Sequence, residues 1–341
     1  MLRFISLAIL LLIGLYRPLA AASHDDTRYQ LGRGYAVGDT GWRLGGYAST
    51  KFTLPRQTPW SFEVNDLSLF LTWDNASRLR FFSELEAGDA LTASAHQWPG
   101  TKNTSFEFER FYLDGLINNQ LSVRVGKFLT PVGQWNVIHA APLVWTSFRP
   151  VATENLFSTH VSGLMLHGST PVAGHQLEYA LYGDLSVSID PHLSDNAFKN
   201  AVGARLRYPF SDSLQLGISY ANFVLQDLPD YRNSLAGLDL GWFHERFEFN
   251  SEVVYRSPDL THKTGYWQGY TQGVRHLSLH WFAIGRYEFF EQAHERVGQV
   301  GLLGIAYRPL SPLILKLEYR LGVHNETLAP DGLATSIAIL F

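Results

Sequence analysis

Residues 333–341 read Leu-Ala-Thr-Ser-Ile-Ala-Ile-Leu-Phe, and their pattern decides the fold. Successive side chains of a β-strand point to opposite faces of the sheet. One face of this segment would carry Leu333, Thr335, Ile337, Ile339 and Phe341. The other would carry Ala334, Ser336, Ala338 and Leu340. The chain stops on an aromatic residue with no polar tail, whereas the ends of soluble domains usually fray into water.

The same alternation recurs along the chain. Residues 78–86, 247–256 and 313–321 each place apolar side chains on one face and mainly Arg, Lys, Glu or Asn side chains on the other. A soluble β-sandwich shows this pattern too, because it also hides one face of each sheet. The number and length of these segments, together with an export signal, favour a transmembrane antiparallel β-barrel with apolar faces toward lipid.

Composition supports spanning strands rather than spanning helices. Aromatic residues make up 14% of the 341 residues, charged residues only 17%, and there is no cysteine. The absence of cysteine excludes a disulfide scaffold and thiolate metal sites. Beyond the amino-terminal segment, no stretch is apolar enough over about 20 residues to form a spanning helix.

Residues 1–22 have the organisation of a signal peptide. Arg3 gives a positive start, residues 7–15 are apolar, and the alanines at 20–22 offer a small-residue cleavage site. We therefore expect export, with cleavage near Ala22.

The exported part is then expected to comprise a periplasmic lead at 23–40 and an outer-membrane barrel at 41–341. Without Arg3 and Arg17, the basic residues fall from 27 to 25 against 31 acids, a formal charge of −6. A mildly acidic chain of this kind gives no support to nucleic-acid binding.

About sixteen strands are predicted, with bounds good to about two to four residues. They are 41–54, 60–74, 77–88, 104–117, 120–128, 158–169, 174–186, 200–208, 213–224, 233–243, 246–256, 263–273, 276–289, 298–308, 312–322 and 333–341. Counts of fourteen and eighteen are alternatives, because the apolar phase of the second segment shifts across Asn65 and Asp66. A β-bulge explains such a shift, and so does a miscounted strand.

The predicted connections alternate between short and long. This alternation is typical of outer-membrane barrels, which have tight periplasmic turns and extended extracellular loops. An even strand count would place both termini in the periplasm. The third extracellular loop, 129–157, is then the longest.

Residues 124–136 read Arg-Val-Gly-Lys-Phe-Leu-Thr-Pro-Val-Gly-Gln-Trp-Asn and lead from the fifth predicted strand into that loop. Pro131 and Gly133 would end the strand and turn the chain. This arrangement resembles the phosphate-selective porin O and P family and related Gram-negative porins. Shorter segments at 285–288, 307–309 and 315–319 resemble these porins in the same way.

The resemblance implies a porin with a loop folded inside its pore, and homotrimers as the assembled form. The aromatic end of the chain resembles the terminal strand of outer-membrane barrels, which implies that Phe341 serves as the signal for the barrel assembly machinery. Phosphate selectivity would need a surplus of basic residues. The six lysines and the net negative charge of this chain do not favour it.

The long loop is the candidate pore constriction. A sixteen-stranded cylinder encloses a lumen wider than a metabolite, so selectivity requires something inside it. Long loops in compact folds are usually functional, although an outside lid or a trimer contact is the alternative. The candidate constriction residues are Gln134, Trp135, Asn136, His139, Trp145, Arg149 and Glu154.

Charged side chains on the polar strand faces are expected to line the lumen. Both signs occur, so a transverse field could orient polar solutes without trapping them. For most of these charges, pairing across neighbouring strands is the favoured interpretation. The candidates are Arg80, Glu84, Glu86, Arg124, Arg205, Arg207, Glu252, Arg286, Glu288, Lys316, Glu318 and Arg320.

Catalysis is not expected. Ser278 and His280 share a predicted strand face, but residues two apart on a strand lie about 7 Å apart, too far for direct proton transfer. The histidines have no metal-binding spacing, so neither a metal nor a cofactor is predicted.

The sequence therefore predicts an outer-membrane porin, a water-filled channel for passive diffusion of small polar or ionic solutes. The expected partners are outer-membrane lipid and the solutes themselves. The alternatives are a specific uptake channel or receptor for a sugar or metal chelate, and a barrel-embedded lipid hydrolase.

Overall fold

A computed structural model describes residues 28–74, 78–101, 104–138, 140–185, 197–226, 231–259, 265–291 and 296–341. Sixteen long strands form one antiparallel sheet. They are β1 (Trp42–Pro55), β2 (Ser61–Asp74), β3 (Leu79–Ser94), β4 (Ser105–Leu116), β5 (Leu121–Leu129), β6 (His160–Val172), β7 (His175–Asp184), β8 (Phe198–Pro209), β9 (Leu214–Leu225), β10 (Asn233–His244), β11 (Phe247–Pro258), β12 (Tyr266–His276), β13 (Trp281–Phe290), β14 (Gly298–Leu310), β15 (Leu313–Val323) and β16 (Gly332–Leu340).

The sheet closes on itself. Each long strand pairs with its neighbours in sequence, and β16 pairs with β1 from Gly332 opposite Pro55 to Leu340 opposite Tyr47. Phe341 continues this seam, because its backbone N–H donates to Gly46 O at 2.8 Å and its O accepts from Gly46 N at 2.9 Å. The predicted antiparallel barrel of sixteen strands is confirmed, and the counts of fourteen and eighteen are wrong.

Shorter strands extend the sheet at two places. Tyr29–Gln30 and Gly34–Ala36 form a small hairpin, and the second of these strands pairs with β1 just beyond Phe341. Gly34 has a φ of 75°, and a Cβ there would lie 2.1 Å from Leu44 O, so only glycine fits. Gln97–Gly100 folds back on the end of β3.

A β-bulge in β2 explains the phase shift seen in the sequence. The pairing of β2 with both neighbours skips Asn65, between Val64 and Asp66. On the far side of the bulge, Ser68 and Phe70 are buried while Leu69 is exposed. The extra residue therefore returns the apolar side chains to the outer face.

One predicted strand starts too early. Residues 276–289 alternate in character, but β13 begins only at Trp281, and residues 277–280 form a turn in which Leu277 N donates to Trp281 O at 2.9 Å. The Ser278 hydroxyl accepts from His280 N at 3.3 Å and from Trp281 N at 3.2 Å. A turn of this composition carries the same alternation as a strand, which is why periodicity alone misplaced the boundary.

The barrel has two different ends. Short connections at 117–120, 173–174, 210–213, 245–246, 277–280 and 311–312 lie at one end, which we call the turn end; the first described residues and Phe341 lie there too. The other end, which we call the loop end, carries the longer connections, of which 130–159 is the longest. Within the described residues, no helix has the length and hydropathy needed to cross a membrane.

The outer surface is apolar and is edged by aromatic residues. Leucine, valine and isoleucine side chains in mid-strand are exposed; Leu303, for example, is 74% exposed. Trp281 and Tyr307 pair at the turn end with ring centroids 4.5 Å apart, and Tyr255 and Trp267 pair at the loop end at 4.6 Å. An apolar belt between two aromatic rims matches the two interfaces of a bilayer.

The interior is only partly polar. On β12 to β16 the inward side chains include Val274, Phe282, Ile284, Leu302 and Ala306, which are buried in one apolar cluster. The expectation that the inward face of every strand lines a water-filled lumen is therefore wrong on this side of the barrel. These side chains are shielded from water because residues of the 130–159 connection pack against them.

We predict that Leu303→Arg destabilises the barrel in phospholipid vesicles by about 2–4 kcal/mol, because it places a charge near the middle of the apolar belt. Denaturant unfolding, followed by tryptophan fluorescence, measures this change. Leu310→Arg, at the turn end of the same strand, should cost about 0–1 kcal/mol. Equal effects at the two positions would show that the outer face does not contact hydrocarbon.

Candidate functional site

The connection 130–159 between β5 and β6 turns into the barrel rather than away from it. The backbone N–H groups of Gln134 and Trp135 donate to Glu252 Oε1 on β11, at 2.8 and 2.7 Å. Glu252 also accepts from the Tyr270 hydroxyl at 2.7 Å. β11 lies far from β5 around the barrel, so these contacts cross the lumen. We call residues 130–159 the inner loop.

The residues that start the inner loop fit the space beside Glu252. Gly133 has a φ of 64°, and a Cβ there would lie 1.9 Å from Glu252 Oε2. Any larger residue would be strained and would displace the carboxylate. Asn136 links the first and last residues of the inner loop: its Nδ2 donates to Thr130 O at 2.8 Å and to Thr159 O at 3.1 Å.

The inner loop then descends to the turn end of the barrel. Trp145 Nε1 donates to Glu248 Oε2 at 2.7 Å, and its ring packs on Phe282 with centroids 4.6 Å apart. Lys316 Nζ donates to Ala141 O at 2.8 Å. Glu248, Phe282 and Lys316 lie near the turn ends of β11, β13 and β15, so this loop reaches most of the way through the barrel.

The returning part of the inner loop is held by further wall carboxylates. Ser147 N donates to Glu318 Oε1, and Val151 N donates to Glu288 Oε2 at 2.8 Å. The Arg320 guanidinium lies 3.8 Å from the centroid of the Phe148 ring. Backbone donors that would otherwise be buried without partners are thus satisfied by charged acceptors, which form stronger hydrogen bonds than neutral ones.

Arg149 joins the two arms of the inner loop. Its Nη2 donates to Asn136 Oδ1, and its Nε donates to Thr153 Oγ1 at 3.0 Å. Burial lowers the pKa of the Arg149 guanidinium, and the charge of the nearby Glu154 partly offsets this shift. The ordinary pKa of arginine is so high that the side chain stays charged at neutral pH.

The structure places the candidate constriction residues as follows. Gln134, Trp135 and Asn136 are buried against the wall or the loop itself, and Trp145 lies against β11 and β13. Glu154 is exposed, while His139 lies outside the described residues. The residues brought together are therefore those that anchor the loop.

Several predicted lumen charges also contact the inner loop or one another. Arg286 donates to Thr146 Oγ1 at 2.7 Å and to Glu288 Oε1 at 2.8 Å. Arg286 also lies over the Trp135 ring, 5.6 Å from its centroid. The loop-contacting members of the predicted set are Glu252, Arg286, Glu288, Lys316, Glu318 and Arg320.

The remaining predicted charges form contacts within the wall. Arg80 contacts Asp74 at 3.0 Å rather than a glutamate such as Glu84, which pairs with Arg110. Other polar contacts occur between strands. These are Arg124 with Asp114 at 2.7 Å, Arg205 with Asp239 at 3.2 Å, Arg207 with Glu178 at 2.6 Å, and Glu86 accepting from Tyr47 at 3.0 Å and Ser68 at 2.7 Å.

Arg110 is a lumen residue that the sequence reasoning missed. The pairing of β3 with β4 skips Glu109, so a bulge reverses the phase of β4 between Phe108 and Arg110. The signal was present, because the exposed Phe106 and Phe108 are followed by an exposed Phe111 three residues later. This is the same kind of phase shift that marks the bulge in β2.

A cavity of about 710 Å³ lies at the turn end, between β4 to β8 and the start of the inner loop. Its wall carries Arg110, Arg124, Arg205 and Arg207, and its loop side carries Leu129, Pro131 and Val137.

Neither a metal-binding cluster nor a Ser278–His280 pair is formed in the part of the chain that the structure describes. No group of three or more His, Asp or Glu side chains there could hold a metal ion. The Ser278 hydroxyl accepts backbone hydrogen bonds within a turn instead of meeting a histidine ring.

Comparison with solved structures identifies the fold class. OmpT of Vibrio cholerae superposes with a TM-score of 0.63 at 9% identity, over 88% of this chain and 97% of that chain. The anion-selective porin from Comamonas acidovorans gives 0.62 at 13%, over 88% and 99%. Salmonella typhi OmpF, in a complex with daunomycin, gives 0.63 at 13%, over 90% and 99%. The chain therefore has the fold of the sixteen-stranded porins.

Sequence comparison adds little to this. No family model matches the chain. An uncharacterized protein of Aquifex aeolicus is 26% identical over 166 residues, which amount to 47% of this chain and 35% of that protein. This chain thus matches only about a third of the length of that relative.

We predict that Glu252→Ala loosens the start of the inner loop, because it leaves three buried donors without their acceptor. Each unsatisfied buried donor costs about 1–3 kcal/mol. Hydrogen exchange with mass spectrometry should show exchange at 133–136 at least about tenfold faster, since about 1.4 kcal/mol corresponds to a factor of ten.

Glu291→Ala is the matched control. Glu291 also accepts a backbone hydrogen bond, from Trp267 N at 2.9 Å, but it lies at the loop end away from the inner loop. Unchanged protection in Glu252→Ala, or equal loosening in the control, would show that Glu252 does not anchor the loop.

Proposed function

We propose that this protein is an outer-membrane porin, a channel for passive diffusion of small polar or ionic solutes. One observation carries the proposal: a closed sixteen-stranded barrel combines an apolar exterior with a charged interior and a long loop inside it. The fold shared with solved porins supports it. No bond is made or broken in this function, so neither a catalytic residue nor a cofactor is required.

The inner loop narrows the passage in this proposal. It takes up space along β11 to β16, where wall glutamates and an apolar cluster hold it. Solutes would then pass on the side of β3 and β4, because an apolar cluster with Leu156 and Phe157 of the inner loop also fills the loop-end parts of β5 to β8. The candidate constriction residues act mainly by fixing the loop against the wall, so that its surface defines the opening.

The two ends of the barrel fit the two sides of an outer membrane. Short turns and both termini are characteristic of the periplasmic side, and long loops of the extracellular side. This orientation agrees with a signal peptide at 1–22 and a periplasmic lead at 23–40. The small hairpin that pairs with β1 would lie on the periplasmic side.

We further propose that the chain assembles as a homotrimer. One of the similar solved structures is a trimer form of in-vitro folded Vibrio cholerae OmpT. The exposed apolar side chains of the strands are suited to lipid and to neighbouring copies alike. Phe341 closes the seam between β16 and β1, a position that suits recognition by the barrel assembly machinery.

Phosphate selectivity is not part of the proposal. The lumen arginines of β4, β5 and β8 are each paired with a carboxylate, so the wall does not carry the surplus of free positive charge that selection for a small multivalent anion would need.

The first experiment measures conductance in planar lipid bilayers. The purified protein should give discrete steps of current in potassium chloride. The absence of current steps, with lipase activity in the same preparation, would favour the barrel-embedded hydrolase instead.

Deleting residues 134–146 tests the role of the inner loop. The 17 residues left in this connection can still join Leu129 to His160, which face each other in the register of β5 and β6. We expect a larger conductance and passage of larger solutes, because the narrowing segment is gone. Deleting 95–98, at the tip of the β3 extension, should change neither. An unchanged conductance in the first variant would show that the loop does not narrow the passage.

A further inference from the structure

The cavity at the turn end has an arginine-lined wall. Arg205 and Arg207 lie two residues apart on β8, so their Cα atoms are about 7 Å apart on the same face. Arg124 lies on β5, three strands away, or about 14 Å at the usual strand spacing. This wall is therefore wide enough to accommodate a small organic molecule rather than a single ion.

The acidic partners of Arg205 and Arg110 lie behind them. Glu178, the partner of Arg207, itself lines the cavity. Asp239 is 1% exposed at its side chain, whereas its partner Arg205 is 12% exposed. Glu84 is fully buried, whereas its partner Arg110 is 21% exposed. These two ion pairs are thus oriented with their positive ends toward the cavity, and they present hydrogen-bond donors to its contents.

Arg205 retains an unused donor. Its Nη2 contacts Asp239, but its Nε is buried and has no hydrogen-bond partner among the described residues. Asp239 engages only Nη2 of the guanidinium, so Arg205 keeps further N–H donors for an acceptor in the cavity.

The inner loop gives the cavity an apolar side, lined by Pro131 and Val137. Leu129 and Met165 add apolar side chains from β5 and β6 of the wall itself, with Met165 directly across from Arg124 in the strand register. Toward the loop end, Met165 belongs to a buried cluster with Phe157 and Phe198. The cavity thus combines a charged wall with an apolar side, which is the usual character of an organic ligand site.

We propose that this cavity binds a small organic anion, a monocarboxylate with an apolar body. The carboxylate accepts hydrogen bonds from the Arg205 guanidinium, and the apolar body lies against Pro131, Val137 and Met165. The proposal deepens the proposed function, because it makes the cavity a subsite on the route of the diffusing solute. Binding itself does not depend on conduction.

Isothermal titration calorimetry of the detergent-solubilised protein tests the site. The probe is 4-phenylbutyrate. Two molecules with the same body replace its charge: 4-phenylbutanol is neutral and 4-phenylbutylamine is cationic. Acetate and inorganic phosphate keep a negative charge but lack the apolar body.

We expect saturable binding of 4-phenylbutyrate, with a Kd at least tenfold lower than for each of the other four molecules. Equal binding of the alcohol or the amine would overturn recognition of the carboxylate. Equal binding of acetate or phosphate would overturn the role of the apolar side. The absence of saturable binding would overturn the site.

Two variants identify the residues responsible. Arg205→Gln should raise the Kd for 4-phenylbutyrate at least tenfold, and Val137→Asp should do the same from the apolar side. Arg275→Gln is the matched control, because Arg275 is exposed on the outer face, with its guanidinium 5.0 Å from the Phe247 ring centroid. An unchanged Kd in Arg205→Gln, with circular dichroism showing a folded barrel, would overturn the assignment.

Bilayer recordings separate this inference from the proposed function. Addition of 4-phenylbutyrate should lower the open-channel current of the wild-type protein more than 4-phenylbutanol does. Binding by calorimetry in a protein that gives no current steps would support the site and overturn the porin function. Current steps without binding would support the porin function and overturn the site.

Discussion

The backbone hydrogen bonds between β16 and β1 are the constraint on which the rest of the structure depends. A sheet with an apolar outer face cannot leave an edge unpaired in a membrane, because no water there could satisfy its N–H and C=O groups. Pairing from Gly332 to Leu340 with β1 removes that edge, and the contacts of Phe341 with Gly46 extend the seam. Closure also separates the outer face from the lumen, so each strand has two surfaces with different chemistry.

The inner loop depends on that enclosed surface. Its backbone donors meet Glu252, Glu288 and Glu318, which project inward from β11, β13 and β15. Buried carboxylates are costly unless several donors reach them. Here the backbone N–H groups of the loop supply those donors, together with a hydroxyl at Glu252 and a guanidinium at Glu288. Wall and loop therefore stabilise each other.

Much of the fold could be predicted from the sequence because the alternation of side chains within a short segment shows which residues share a face of the strand. The alternation of apolar and polar residues, together with the number of segments and the export signal, predicted a barrel of about sixteen strands and the separation of short from long connections, but left counts of fourteen and eighteen open. The errors have local causes as well. The turn at 277–280 alternates as a strand does, and Arg110 was missed because the phase shift after Phe108 was not interpreted as a bulge.

By itself, the sequence determined which side chains share a face of each strand, because period-two patterning fixes them. Only the tertiary structure decided which residues meet inside the barrel. The contact of Gln134 with Glu252, or of Ser147 with Glu318, joins positions more than a hundred residues apart. Such contacts depend on strand register, on the bulges at Asn65 and Glu109 and on the path of the inner loop across the lumen. None of these distances is encoded in the spacing of residues along one strand, so the anchoring of the loop and the arginine-lined cavity emerge only when the sheet is closed.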